Sequence, residues 1–138
     1  MLDEVASKRL LRESGIRVPR SIVVPAGGNV ADDVGGLAAP FALKAIAPGV
    51  AHKSDVGGVR LDLRDASSVR DAMRAMSTGM AGLGHSLTGF LLEEMAPKGH
   101  EVAIGGLNDA RFGPVIMFGL GGIFVELFAD VADRKSVV

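Results

Sequence analysis

A chain of 138 residues, 48% of them hydrophobic, is long enough to bury a core as one domain or as a piece of a larger one. The formal net charge of −1 and the absence of Trp and Tyr argue against partners such as nucleic acid or an anionic membrane. The absence of cysteine excludes disulfides and thiolate chemistry, and the lack of a signal-peptide pattern or an ~18-residue apolar run leads us to expect a cytoplasmic protein.

The spacing of apolar residues predicts two helices. The first covers residues 3–14 and stops at Gly15, and the second begins after Asp65 and turns a methionine-rich face toward the core. Short apolar runs predict five or six strands, at 21–24, 41–46, 59–63, 90–95, 101–105 and 114–118. We expect the runs at 90–95 and 101–105 to pair across a four-residue turn, and the run at 114–118 to be buried on both faces. This mixed order of helices and strands predicts an α+β or α/β domain.

A lysine inside an apolar strand marks the first candidate site. In the run FALKAI, Lys44 shares a strand face with Ala42 and Ile46. A lysine in such surroundings is costly to bury unless an anion accompanies it. The alternative is an exposed strand face from which the ammonium extends into solvent. The residue alone leaves both interpretations open.

The loop HKSDVGG, residues 52–58, follows that strand and has the composition of an anion site. Glycine backbones let a phosphate approach closely, and a serine hydroxyl, a lysine and successive amides can hold it. His52 is chemically competent to accept a phosphoryl group, and Asp55 could orient that histidine, cap a turn or hold magnesium. The spacing is not that of a Walker A loop. The alternative is a hairpin loop closed by an Asx-turn. The candidate residues here are His52, Lys53, Ser54, Gly57 and Gly58.

The stretch LLEEMAPKGHE carries carboxylates on either side of a predicted turn. Glu93 and Glu94 point to opposite faces of their strand, so at most one faces the core. Glu94 and Glu101 could accept hydrogen bonds from a nucleobase amine and from ribose hydroxyls, while the backbone at Met95 offers groups to an adenine edge. A solvated acidic hairpin would show the same residues.

The run MFGLGG is a glycine-rich exit from an apolar strand. Gly121 and Gly122 leave room for a ligand or a partner loop to approach the backbone. Any tight strand exit has the same composition, and the role of Glu126 just beyond it is undecided.

The order of these motifs resembles the ATP-grasp fold. The stretches PFALKAIAPGVAHKSDVGGV, GFLLEEMAPKGHEVAIGG and DARFGPVIMFGLGGIFVELFADVA are similar to the ATP-grasp domain of NDP-forming acyl-CoA synthetases, also called ADP-forming acetate–CoA ligases. The resemblance covers nearly the whole chain. It implies an N-terminal lobe at about 1–88, with the phosphate loop, and a connector with an incomplete C-terminal lobe at about 89–138.

The resemblance also implies roles for the candidate residues. Lys44 would contact the α- or β-phosphate of ATP or ADP, and the loop from His52 to Gly58 would cover the phosphates. Glu94 and the backbone at Met95 would meet adenine, and Glu101 the ribose. The glycines at 121 and 122 would line the place where a phosphohistidine loop of a CoA-binding domain or subunit exchanges phosphate. His52 could itself relay that phosphate.

The family pattern continues beyond this sequence with a segment whose acidic and Asn side chains hold Mg²⁺. We therefore expect the chain to be a fragment whose magnesium ligands lie elsewhere and which is inactive as a ligase by itself. The open alternatives are a non-catalytic remnant and the regulatory ATP-grasp part of a protein acetyltransferase fusion. A carboxylate–amine ligase of another ATP-grasp branch is disfavoured by the HKSD and FGLGG motifs. The acyl substrate, the direction of the reaction and the oligomeric state are not specified by the sequence.

Overall fold

The structure is a computed structural model that describes residues 3–50 and 54–121. Its helices and strands are α1 (Glu4–Glu13), β1 (Ser21–Pro25), β2 (Phe41–Ile46), β3 (Val59–Leu63), α2 (Ala66–Gly82), β4 (Gly89–Glu94), β5 (Val102–Asp109) and β6 (Gly113–Leu120). A 3-10 turn, Val34–Gly36, lies between β1 and β2. The predicted α+β class is confirmed. The chain divides into two compact units, Met1–Ala96 and Pro97–Val138.

The ends of α1 follow from its local sequence. The Asp3 side chain caps the first turn by accepting a hydrogen bond of 2.7 Å from the amide of Ala6. At the other end Gly15 has φ of +80°, a conformation that costs glycine little. The amide of Ile16 then donates to the carbonyl of Leu11 at 2.9 Å, which satisfies one of the last carbonyls of the helix. The predicted stop at Gly15 therefore agrees with the structure.

The second helix begins at a capping box. Asp65 accepts a 2.7 Å hydrogen bond from the amide of Ser68, whose hydroxyl oxygen in turn accepts from the Asp65 amide. The backbone hydrogen bond from Ser68 lowers the pKa of Asp65. The predicted apolar face is confirmed, since its members are buried: Val69, Ala72, Met73, Met76 and Met80.

The first unit is built on a four-stranded antiparallel sheet in the order β1-β4-β2-β3. The strand at 90–95 was predicted to form a hairpin with the next strand, and that prediction is wrong: β4 pairs with β1 and β2 instead. The physical reason is the burial of β4: every residue from Gly89 to Glu93 is buried. A strand with both faces covered is stabilised at the centre of a sheet, where both of its backbone edges are paired.

The two faces of this sheet have different partners. One face packs against α2 and contributes Phe41, Leu43 and Phe90 to the hydrophobic core. The opposite face carries Lys44 and Glu93 and meets α1 through ion pairs. The sheet therefore separates an apolar side from a charged side.

The second unit contains a regular hairpin of β5 and β6, paired from Val102–Leu120 to Asp109–Gly113. Asp109 closes the turn by accepting hydrogen bonds from the amides of Arg111 and Phe112. These bonds, chiefly the one from Arg111, lower the pKa of Asp109. The apolar strand at 114–118 was predicted to be buried on both faces, and that prediction is wrong. Ile116 is 78% exposed and Phe118 70% exposed, because within the described ranges β6 pairs only with β5 and no residue from 97 to 121 is buried.

Candidate functional site

The ammonium of Lys44 lies between two carboxylates on the charged side of the sheet. Its Nζ is 2.7 Å from Oε1 of Glu4 and 2.6 Å from Oε1 of Glu93. Lys8 is 3.0 Å from the same Glu4 oxygen and also contacts Oε2 of Glu93. The side chains of Lys44 and Glu93 are 24% and 6% exposed, so this ammonium does not point into bulk solvent. We call Glu4, Lys8, Lys44 and Glu93 the charge network.

Three elements bring the charge network together. Glu4 and Lys8 are one helical turn apart on α1 and therefore point the same way. Glu93 is the register partner of Ala42 on the neighbouring strand, which makes it the diagonal neighbour of Lys44 on the same sheet face. Because two positive and two negative charges meet, each partly buried charge has an opposite charge beside it.

The charge network shifts two pKa values in directions that keep both groups charged. Burial raises the pKa of Glu4, but the hydrogen bonds and charges of Lys44 and Lys8 outweigh it and lower the pKa from 4.5 to about 2. Burial lowers the pKa of Lys44, and the hydrogen bonds and charges of Glu4 and Glu93 outweigh it and raise the pKa above 10.5. At neutral pH the site therefore holds a carboxylate and an ammonium in contact.

The glycine end of the candidate phosphate loop lies beside Lys44. The amide of Ala45, the next residue along β2, donates to the carbonyl of Gly58 at 2.8 Å. Gly57 has φ of +70° and closes a turn through its amide, which donates to the carbonyl of Ser54 at 3.2 Å. The structure thus places Ser54, which is exposed, and Gly57 in one turn, with the buried Gly58 directly after it and next to the lysine strand. His52 and Lys53 lie outside the described residues.

The candidate adenine-binding residues lie at the far end of the sheet. Glu94 is the register partner of Phe41, three residues from Lys44, which is about 10 Å along a strand. Its Oε1 accepts hydrogen bonds from the amide of Ala38 at 2.8 Å and from Arg20 at 3.2 Å. The amide of Met95 donates to the carbonyl of Pro40 at 2.9 Å. The groups assigned to adenine therefore have protein partners in this conformation.

Two further candidates meet in the second unit. Glu101 is exposed, and its carbonyl accepts a hydrogen bond of 2.9 Å from the amide of Gly121. The structure places these residues together where the hairpin opens, before β5 and after β6. Gly122 and Glu126 lie outside the described residues.

No group of three or more His, Asp or Glu side chains in the described ranges could hold a metal ion. The described side chains therefore do not form a magnesium site made of protein ligands alone. The helices of the same ranges include none that is long and apolar enough to cross a membrane.

Three members of the charge network were not predicted from the sequence as partners of Lys44. The apolar neighbours of Lys44 indicated that it would need an anion if buried, but nothing local connected that need to Glu4, Lys8 or Glu93. Two signals were present: the helical spacing of Glu4 and Lys8, and the position of Glu93 in an otherwise apolar strand. Neither signal indicates which strand lies beside Lys44, because pairing of distant strands is not visible in a local pattern.

Comparisons with known proteins agree with the resemblance in the sequence. A family described as an ATP-grasp domain matches residues 1–135. The β subunit of the ADP-forming acetate–CoA ligase I of Pyrococcus furiosus is 36% identical to this chain, over 99% of the chain and 60% of that subunit. The ADP-forming 4-hydroxybutyrate–CoA ligase of Nitrosopumilus maritimus is 32% identical, over 98% of the chain and 20% of that ligase.

Solved structures show the same relationship. A dinucleotide-forming acetyl-coenzyme A synthetase 1 of Candidatus Korarchaeum cryptofilum, in complex with coenzyme A, Ca-AMPCP and HgCl⁺, has a TM-score of 0.79 and 37% identity. That match covers 93% of this chain and 57% of the other. A second structure of that enzyme, with coenzyme A and Mg-AMPPCP, has a TM-score of 0.73 and 38% identity, over 94% of this chain and 54% of the other.

The chain spans about 60% of the length of the Pyrococcus subunit. Over that length the family match and the structural matches cover almost every residue, and the mixed helices and antiparallel sheets agree with those of the solved structures. The chain belongs to the ATP-grasp family.

Proposed function

We propose that this chain is the nucleotide-binding part of an ADP-forming acyl-CoA synthetase. The whole enzyme would convert an acid, CoA and ATP into acyl-CoA, ADP and phosphate through a phosphohistidine. The observation that carries the proposal is that the partly buried Lys44 is the register partner of Val59, the residue that directly follows the turn at Gly57 and Gly58. The relatives that bind nucleotide analogues or are named ADP-forming ligases support it.

The phosphate end of the nucleotide would lie over the loop and Lys44. Phosphoryl transfer needs positioning and neutralisation of charge rather than covalent chemistry from the protein. Lys44 would supply a positive charge, while the hydroxyl of the exposed Ser54 would donate a hydrogen bond to a phosphate oxygen. Magnesium accompanies the nucleotide analogue in one Korarchaeum structure. Here the nucleotide phosphates would supply part of its coordination, and the protein ligands would come from outside the described residues.

The base would lie toward the other end of β4. Because Oε1 of Glu94 and the amide of Met95 already have partners, adenine would meet the second carboxylate oxygen of Glu94 and the backbone carbonyls after it. Glu101 would accept hydrogen bonds from the ribose hydroxyls.

The partner in this proposal is a CoA-binding domain or subunit that carries a phosphohistidine loop. One Korarchaeum structure has its phosphohistidine segment pointing towards the nucleotide-binding site. Gly121 and Gly122 would give such a loop access to the backbone, and His52 would relay the phosphoryl group. Acid-labile phosphate on His52, detected by mass spectrometry after the chain is incubated with a phosphorylated partner, would support the relay; its absence in an active assembly would refute it.

The nucleotide role of Lys44 is tested by calorimetric titration of the 138-residue chain with Mg-ADP. We expect Lys44→Met to weaken binding about 10-fold or more, because a charge-assisted hydrogen bond to phosphate is lost. Arg74→Met is the matched control, since Arg74 is exposed on α2, on the other side of the sheet, and forms a local ion pair with Asp71. Equal affinity of wild type and Lys44→Met, with both folded by circular dichroism, would refute the assignment.

A further inference from the structure

The two carboxylates that hold Lys44 differ in how firmly the fold fixes them. Glu93 is on a central strand, paired on both edges, and its side chain is 6% exposed. Glu4 is the first residue of α1, its side chain is 30% exposed, and α1 contributes no buried residue to the core. Moving Glu93 would disturb the sheet, whereas moving Glu4 would disturb one turn at the end of a helix.

Lys44 offers the same kind of hydrogen bond to Glu4 that it would offer to a phosphate. An ammonium has three donors, and two of them are directed to Glu4 and Glu93. A carboxylate and a phosphate oxygen are both anionic acceptors for such a donor. A phosphate that approaches the ammonium from the exposed side would therefore compete with the more exposed carboxylate.

We propose that Glu93 is the positioning residue that fixes the Lys44 ammonium, and that Glu4 occupies the place of a phosphate oxygen on that ammonium until nucleotide displaces it. This inference rests on the proposed function, because it assumes that nucleotide phosphate reaches Lys44. It adds Glu93 and Glu4 to the site, with opposite effects on nucleotide affinity. Neither residue is expected to touch the base or the ribose.

Lys8 lowers the free-energy cost of displacing Glu4 from Lys44. After Glu4 leaves Lys44, its carboxylate keeps the contact with Lys8 at 3.0 Å, so no buried charge is left alone. Lys8 also contacts Glu93, which keeps that carboxylate neutralised while Lys44 turns to the phosphate. The exchange is one anion for another at neutral pH, since Glu4 is ionised and Lys44 is protonated there.

The test compares three Glu→Gln variants of the 138-residue chain by calorimetry with Mg-ADP, and with inorganic tripolyphosphate as a probe without a base. We expect Glu4→Gln to tighten binding about 3- to 10-fold, because a competing hydrogen bond is removed, and Glu93→Gln to weaken it by a similar factor. Glu13→Gln is the control for charge, since Glu13 is at the far end of α1 and 66% exposed. It should change affinity less than 2-fold.

A second readout separates displacement from a general loss of structure. In spectra of ¹⁵N-labelled chain, ADP should shift the amide signals of the first turn of α1 in wild type, and much less in Glu4→Gln. Glu93→Asp keeps the charge and should retain most of the wild-type affinity. Should Glu93→Gln fail to fold, the tightening in Glu4→Gln and the result for Glu93→Asp decide the matter.

The outcomes distinguish this inference from the function on which it rests. If wild type binds neither probe, or if Lys44→Met binds as tightly as wild type, the proposed function fails and the inference with it. If wild type binds through Lys44 but Glu4→Gln is unchanged or weaker, the inference alone is overturned. Opposite signs for the Glu4 and Glu93 variants, with an unchanged Glu13 control, would establish it.

Discussion

Lys44 is a partly buried cation whose position depends on both of its carboxylate partners. Removing one partner of such a group costs more than the pair contributes, because the remaining charge is left in a poorly solvated place. The charge network avoids this by sharing: each carboxylate contacts both lysines, so either lysine can change partner without isolating a carboxylate. Carboxylates shared by two lysines are compatible with reversible binding of a negatively charged ligand.

The depressed pKa of Glu4 predicts how stability depends on pH. Its pKa is about 2 in the folded chain and 4.5 as the ordinary value, so the unfolded chain binds the proton more readily between these values. The contribution of Glu4 is therefore complete above about pH 5 and is lost as the pH falls toward 2. After allowance for solvent screening, we expect it to be about 1 kcal/mol of unfolding free energy.

Urea unfolding of wild type and Glu4→Gln between pH 7 and pH 2.5 measures this contribution. The difference between the two unfolding free energies should be constant from pH 7 to about pH 5 and should shrink below it. Glu13→Gln, which changes the same charge on the same helix, should show a smaller difference. A gap between wild type and Glu4→Gln that stays constant down to pH 2.5 would contradict the assigned pKa.

The sequence indicated that Lys44 would need an anion if it were buried, and the physical reason is local: its strand neighbours are apolar. It did not indicate that protein carboxylates meet this need. Glu4 is 40 residues from Lys44 along the chain and Glu93 is 49 residues away, so their meeting depends on how helix and strands assemble. The turn at the loop glycines could be predicted from the sequence because turn formation depends on local residues. The partners of Lys44 could not be predicted in this way.

Most helices and strands could be predicted from the sequence because local residues mark their ends. Asp65 caps α2, Gly15 ends α1, and the apolar spacing of α2 gives its buried face. The pairing of β4 could not be predicted from the sequence, because strands that are neighbours in sequence usually pair. Here β4 pairs with β1 and β2, and the loop before β3 and helix α2 lie between β2 and β4 in the chain. The hairpin that does form, β5 with β6, is closed by Asp109 within a short turn.

The packing of α2 on the sheet predicts the cost of shortening a core side chain. Met76 is 2% exposed in the core that α2 shares with β2 and β4. We expect Met76→Ala to lower the free energy of unfolding by about 2 to 4 kcal/mol, because apolar contacts are lost and a cavity remains. Thr78→Ala, at an exposed position of the same helix, should be neutral or slightly stabilising. Equal effects of the two changes in urea unfolding would contradict this packing of α2.

At the scale of the whole chain, the two units differ in what they bury. The first unit has a core drawn from its sheet and α2, while no residue between 97 and 121 is buried. Both faces of the hairpin carry exposed apolar side chains, among them Ile104, Met117 and Phe118. An isolated two-stranded hairpin is marginally stable in water, because its hydrogen bonds alone do not offset the entropy of ordering the strands.

This difference predicts unequal protection of backbone amides in the 138-residue chain. Amides of β2 and β4 should exchange with solvent only when the first unit unfolds, and so about 100-fold more slowly than those of β5 and β6. Hydrogen exchange followed by mass spectrometry of peptides from residues 41–46, 89–94 and 102–120 makes the comparison within one sample. The Met76→Ala variant should speed exchange in the first two peptides and leave the third unchanged, because the hairpin shares no buried residue with that core. Equal protection of all three peptides would mean that the hairpin is stabilised by contacts beyond its own pairing, and would contradict the prediction.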